Sequence, residues 1–210
     1  VKPQTDQWNY DVKHYDIYLK VYIDTTLTSG KLSGRVKILF SALTENLNTI
    51  SLNLNSNMTV DSIPEAEQYT HIKNQIQLTI RKTLTKNDTG SVTIYYHGWP
   101  KQYHKWILGW KLAIHTNNKG KASPWITTVN PPFGAQTWFP CKDTPSDKAD
   151  SVNISVDVPD SLIVVSNGRL IKSHPTTDGR KIFFWKEKYP IATYLIAVNI
   201  GQFLKFERTY

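Results

Sequence analysis

The sequence has 210 residues but only one cysteine, one methionine and eight alanines. With Cys141 alone, no disulfide can close within the chain, and a single Cys leaves the redox compartment open. The longest purely apolar runs, such as Leu162-Ile163-Val164-Val165, fall far short of the roughly 20 residues a membrane-spanning helix needs. No positively charged start leads into an apolar signal stretch. The first residue is Val, which reads as a processed or trimmed chain. No stretch carries a 3.6-residue apolar period, so helices are expected to be scarce. His-Glu-x-x-His, zinc-finger spacing, a Gly-x-Ser-x-Gly elbow and a Gly-rich phosphate loop are all missing.

What is present is β-branched and aromatic. Thr, Ile and Val number 22, 19 and 13, and Trp, Tyr and Phe number 7, 11 and 7. Such side chains suit a pleated, half-buried surface and lose rotamer freedom in helices. Strict alternation places Tyr15, Ile17, Leu19, Val21 and Ile23 on one face of a long strand. Leu32 to Phe40 alternate likewise after a turn at Thr28-Ser29-Gly30, which reads as a long hairpin. Shorter alternating runs follow around Ile50–Leu54, Val60–Ile63, Ile76–Ile80, Val92–Tyr96, Val152–Val158 and Ala192–Ile200. Ser166-Asn167-Gly168 predicts a hairpin turn returning through Arg169 to Lys172. From His97 to Pro140 the pattern loosens into an aromatic- and proline-rich connection. The expected fold is one all-β domain over residues 1–210, an antiparallel two-sheet sandwich of about 10–13 strands with little helix.

Net charge is +8. Lys and Arg are scattered singly along the strands, so a solvated basic surface is favoured over a nucleic-acid partner. The histidines read as surface or turn residues, with His14 and His71 on polar-facing strand positions. Cys141 reads as a buried structural thiol and the carboxylates Asp143, Asp147 and Asp150, near Lys142 and Lys148, as a salt-bridge network. Trp99, Trp106, Trp110 and Trp125 have two readings. They are either the core of a long loop or the platform of a stand-alone carbohydrate- or peptide-binding module. Asn57-Met58-Thr59, Asn87-Asp88-Thr89 and Asn153-Ile154-Ser155 match glycosylation acceptors, a pattern that also arises by chance. An extracytoplasmic or secreted location is expected over a cytoplasmic one.

One segment goes beyond pattern. Residues 130–150, with the core Trp138-Phe139-Pro140-Cys141-x-Asp143-x-Pro145-x-x-Lys148-Ala149, resemble a signature of the zinc aminopeptidases of the aminopeptidase N and leukotriene hydrolase type. Tyr15–Leu19, Leu32–Val36, Ile50–Leu54, Val164–Gly168 and Pro190–Ala197 resemble the flanking strands of that family's amino-terminal, saddle-shaped β-domain. The resemblance implies that a catalytic zinc domain follows residue 210, that it is this domain's partner, and that this domain holds no zinc and no catalytic residue. It also implies that the loop Asn130, Pro131, Pro132, Phe133, Gly134, Ala135 and Gln136 reaches the cleft that binds the peptide substrate. In that family a Glu or Gln just before the Gly-Ala part of the loop takes the substrate's free amino group. Alignment on Gly134-Ala135 puts Pro131 there, preceded by Asn130. Proline has no side-chain acceptor for an ammonium.

Overall fold

Alternation in the sequence becomes alternation in burial. Along Tyr10–Ile23, residues Tyr15, Ile17, Leu19 and Val21 are buried, while Asp16, Tyr18 and Lys20 are not. The structure is a computed structural model and describes residues 5–23, 30–100, 102–103, 108–116, 120 and 122–204. The expected turn at Thr28-Ser29, together with His104, Trp106 and Thr209-Tyr210, lies outside the described residues.

The described residues form seventeen strands. In chain order they are β1 (Tyr10–Ile23), β2 (Gly30–Ala42), β3 (Leu47–Asn53), β4 (Met58–Ser62), β5 (Ala66–Ile72), β6 (Gln75–Leu84), β7 (Thr89–Gly98), β8 (Gln102–Tyr103) and β9 (Leu108–Thr116). There follow β10 (Ala122–Val129), β11 (Lys148–Ala149), β12 (Ser151–Pro159), β13 (Ile163–Ser166), β14 (Arg169–Pro175), β15 (Arg180–Glu187), β16 (Ile191–Ala192) and β17 (Val198–Gly201). Among the described residues helix is confined to three short 3-10 turns, Thr5–Asn9, Ala135–Thr137 and Thr193–Leu195.

The all-β class matches the sequence expectation, but the strands divide among four sheets rather than two. A seven-stranded sheet runs β14-β15-β12-β1-β2-β7-β4 and a five-stranded sheet β13-β17-β10-β9-β8. A three-stranded sheet, β3-β6-β5, and a two-stranded clip, β11-β16, complete the set. The pairing is also not wholly antiparallel. β1 and β12 run parallel, with Ile17 opposite Ile154 and Leu19 opposite Val156. Nearly 140 residues separate these neighbours in the chain, so nothing local in sequence specifies the pair.

The loosened region holds β9 and β10, a regular hairpin with Ile126 opposite Leu112 and Trp125 opposite Ala113. Pro124 hid it from pattern reading. It sits outside the two-residue stretch that joins β10 to β17, where a missing ladder bond is tolerated. Between the sheets lies a core whose largest fully buried side chains include Trp138, Tyr10, Tyr15, Tyr96, Phe40 and Phe139.

Asn167-Gly168 is not a hairpin turn. β13 pairs with β17 and β14 with β15, so the dipeptide carries the chain from one sheet to another. Asn167 fixes the crossing by donating to Leu195 O (2.9 Å) and accepting from Ala197 N (2.6 Å). Gly168 has φ +75°, and a Cβ there would lie 2.1 Å from Lys186 O. Gly168→Ala is therefore expected to destabilise the fold by about 1–3 kcal/mol, from left-handed strain and the backbone clash together. Urea unfolding measures this; an unchanged midpoint would show that the crossing is not built as described.

Candidate functional site

The signature segment is irregular and yet almost wholly interior. Gly134 through Thr144 are buried, and Trp138, Phe139 and Cys141 have no exposed surface. Interior backbone without a ladder must find other hydrogen-bond partners. Asn53 N donates to Cys141 O (2.7 Å), Cys141 N to Asn53 O (3.1 Å) and Asn55 N to Gln136 O (2.8 Å). Asp143 N reaches the Asn53 side chain (3.1 Å), and Lys142 N reaches the Tyr15 hydroxyl (3.1 Å). The rings close the rest: Trp138 and Phe139 lie 4.4 Å apart, and Phe139 meets Tyr15 edge-on at 5.9 Å.

The expected carboxylate–lysine network divides by burial. Lys142 is an interior cation, 4% exposed. Its ammonium contacts the Asp147 carboxylate, donates to Tyr10 O (2.7 Å) and lies 4.7 Å from the Tyr10 ring centroid. Burial raises the Asp147 carboxyl above its ordinary value, opposed by Lys142 and by the Val12 N–H. Lys148 and Asp150 stay exposed, and Pro145 is half-buried. Ala149 is buried where β11 pairs with β16, which ties the end of the signature to Ile191 and Ala192. Cys141 is fully buried, and burial, with Asp143 beside it, pushes its thiol well up, which disfavours a thiolate.

Asp143 stands at the base of the loop. Burial raises its carboxyl to about 6, while bonds from Gln136 N (3.3 Å) and the Thr193 hydroxyl (3.2 Å) oppose the rise. Asn130 forms the opposite shoulder and is 1% exposed. Its amide donates to Ile196 O (2.8 Å) and accepts from the Trp138 indole (3.2 Å), so both ends are committed to the interior. Gly134 N closes back on Asn130 O (2.7 Å), and a Cβ on Gly134 would lie 2.8 Å from Asn130 Cα. Gln136 donates to Phe133 O (3.2 Å). What faces outward is the tip: Pro131 and Pro132 are exposed, joined by a cis peptide bond, and Phe133 is half-buried. Leu195, 51% exposed, precedes the Ile196 that holds Asn130.

The supports Asn53, Thr193, Tyr10 and Tyr15 carry no sequence signal for these roles, because they lie 50 to 132 residues from their partners. Of the four tryptophans, Trp106 lies outside the described residues, and the other three do not form one platform. Trp110 is 3% exposed and packs 6.2 Å from Trp138, while Trp99 and Trp125 are both about half exposed, Trp99 just past the end of β7 in the seven-stranded sheet and Trp125 within β10 of the five-stranded one. Among the described residues no group of three or more His, Cys, Asp and Glu could hold a metal ion.

Residues 11–195 match the family model described as the peptidase M1 N-terminal domain. The chain belongs to this family. Human glutamyl aminopeptidase is 24% identical over 205 residues, covering 93% of this chain and 21% of that protein. Leucine aminopeptidase 2 of Aspergillus terreus is 30% identical over 97 residues, covering 45% of this chain and 15% of that protein. An M1 zinc metallopeptidase from Deinococcus radiodurans superposes with a TM-score of 0.77 at 25% identity, over 92% of this chain and 42% of that one. A mutant of that peptidase has been seen with a Tyr-Ser-Ala substrate bound. The peptidase M1 N-terminal domain therefore accounts for nearly all of this chain, which spans a minor part of each of these relatives.

Two outcomes follow from the buried charges. Asp143 titrates near 6 when folded against an ordinary 3.8. Its favourable share of stability is thus full below about pH 3.8 and is lost as pH rises through about 6, an amount of about 3 kcal/mol. Thermal midpoints of wild type and Asp143→Asn from pH 3.5 to 7.5 should diverge across that window; parallel curves would contradict the assignment. Separately, Lys142→Ala, which leaves Asp147 buried and unpaired, is expected to cost about 3–5 kcal/mol. The double replacement Lys142→Met with Asp147→Leu should cost much less, as measured by a denaturant double-mutant cycle.

Proposed function

We propose that this chain is the amino-terminal β-domain of a zinc aminopeptidase, that it packs on the catalytic domain, and that the loop 130–136 lines the substrate cleft. The observation that carries the cleft reading is the asymmetry of the loop. Asn130, Gly134, Ala135 and Gln136 are held inside, while Pro131 and Pro132 project from that anchorage. An exposed tip on a fully bonded interior base suits a segment that presents a few atoms to a neighbour without yielding. The glutamyl and leucine aminopeptidase relatives and the substrate-bound neighbour point to peptides as the molecules met there.

Domain packing is supported by the outer face of the five-stranded sheet. Trp125 is 44% exposed, Ile163 37% and Val165 40%, on strands whose alternate residues Ile126 and Val164 are buried. Large apolar side chains left exposed on one sheet face are a mark of an interface. Zinc in the catalytic domain would polarise the scissile carbonyl and activate water. This domain contributes a rigid wall and excludes water beside the cleft. By itself it is expected to bind no stoichiometric zinc and to cleave no aminoacyl substrate.

The decisive position is Pro131. Asn130 has both amide ends bonded inside, so it offers no acceptor to a substrate ammonium. Pro131→Glu in the full-length enzyme would add a carboxylate at the exposed tip. A charge-assisted bond of about 1.5–3 kcal/mol corresponds to roughly ten- to 150-fold. The kcat/KM ratio for an aminoacyl substrate over its amino-acetylated analogue is expected to rise about tenfold or more. An unchanged ratio in a variant that unfolds at the wild-type midpoint would show that the tip does not face the substrate's amino group.

A further inference from the structure

The outer face of the seven-stranded sheet differs in character from the apolar outer face of the five-stranded one. Strand register sets its side chains in rows. One row crosses six strands as Lys172, Phe184, Ser155, Tyr18, Arg35 and Tyr95. At the usual strand spacing it spans about 24 Å. The next row places Arg169 opposite Lys186, with Lys37 opposite Asp16 further along. Two hollows of about 360 and 370 Å³ open along this track and share Arg35; one is flanked by Tyr18 and Tyr95, the other by Lys172 and Lys186.

The charge on this face is unbalanced. Of its carboxylates, Asp16 pairs with Arg35 (3.3 Å) and Asp157 with Arg180 (2.7 Å), Asp61 bonds His97 (2.7 Å), and Glu65 accepts from Thr93 N and Oγ1 (2.9 Å each). Among the described residues, Lys37, Lys172, Lys186 and Arg169 have no carboxylate within ion-pair distance. Lys172 is held over the Phe184 ring at 4.9 Å, which fixes its ammonium on the face. Arg35 bonds Asp16 through one terminal nitrogen (3.3 Å), its Nε is buried, and its side chain is otherwise partly exposed. The terminal nitrogens are thus the guanidinium donors that can turn to an oxyanion.

We propose that this face binds a linear sulfated polysaccharide along the row from Lys172 to Tyr95. Tyr18 and Tyr95 stand two strands apart, about 10 Å, with Arg35 between them, while the Phe184 ring carries Lys172 and stacks with His174 (5.3 Å). Two tyrosine rings spaced by a cation, with the Ser155 hydroxyl and Lys172 further along the row, match a polymer that alternates apolar sugar faces with hydroxyl and sulfate groups. Single-stranded nucleic acid needs ring platforms close enough for successive bases to stack, and this spacing does not provide them. The cations then act by neutralising fixed negative charge, so binding weakens as salt screens it.

The test is retention of the protein on immobilised heparin, with affinity for a heparin oligosaccharide measured by calorimetry at about 0.15 M NaCl. Wild type is expected to be retained at that salt. Lys172→Glu with Lys186→Glu is expected to weaken affinity about tenfold or more, and Tyr95→Ala several-fold. The control Lys82→Glu with Lys86→Glu makes the same change in net charge at exposed positions of β6 and the β6–β7 turn and should shift affinity less than about twofold. All the substituted side chains are exposed, and Lys37→Glu serves as a second site variant if the first pair does not fold. Equal losses in site and control variants would mean that net charge alone drives retention, which overturns the proposal. No retention at about 0.15 M NaCl, or tighter binding of a single-stranded oligonucleotide of equal charge, would overturn it as well.

Discussion

An irregular strip of backbone buried between sheets is the constraint on which the rest of the molecule turns. From Gly134 to Thr144 the chain has no ladder of its own, yet water does not reach it. Each orphaned N–H and C=O would cost about 1–3 kcal/mol, so the surrounding residues are committed to satisfying them. Asn53 serves through its backbone and its side chain, Tyr15 through its hydroxyl and Tyr10 through its carbonyl. Even an interior lysine is retained, because Asp147 and the Tyr10 carbonyl and ring surround its ammonium.

That strip joins the sheets. Asn53 closes the three-stranded sheet, Tyr10 and Tyr15 belong to the seven-stranded one, and Asn130 follows the last strand residue of β10 in the five-stranded one. Thr193, next to the β11–β16 clip, completes the ring through Asp143. The bonds that quiet the buried polar groups also hold Asn130 and Gln136 on either side of Pro131 and Pro132. Asp143 makes that anchorage responsive to pH, since its carboxyl is raised by the burial that lets it serve as an internal acceptor.

The two large sheets share a core and turn different chemistry outward. On the five-stranded sheet Trp125, Ile163 and Val165 offer apolar area. On the seven-stranded sheet cations share a row with tyrosine and phenylalanine, and Asp16 and Asp157 are paired with arginines. A net charge of +8 is thus not spread evenly, although single lysines scattered along a sequence look uniform. Register gathers them: Lys172 and Arg35 lie far apart in the chain and stand in one row only because β14, β15, β12, β1 and β2 are neighbours.

The sequence by itself determined the all-β class, the inward residues of the long strands and the segment that marks the family. These are local properties, because period-two alternation needs only the chain's own neighbours and the signature is contiguous from Trp138 to Ala149. Tertiary structure alone decided which strands pair, since alternation names a strand's faces but not its partners. Hence the parallel β1–β12 pair, the four sheets in place of two, the β9–β10 hairpin behind Pro124 and the sheet crossing at Asn167-Gly168 were not legible. The same holds at the site. Asn130 and Pro131 are adjacent and both appeared as loop residues, but the amide of one is drawn inside by Ile196 O and the Trp138 indole, and the ring of the other is left outside. Those partners lie 66 and 8 residues away, and only folding brings them within hydrogen-bond reach.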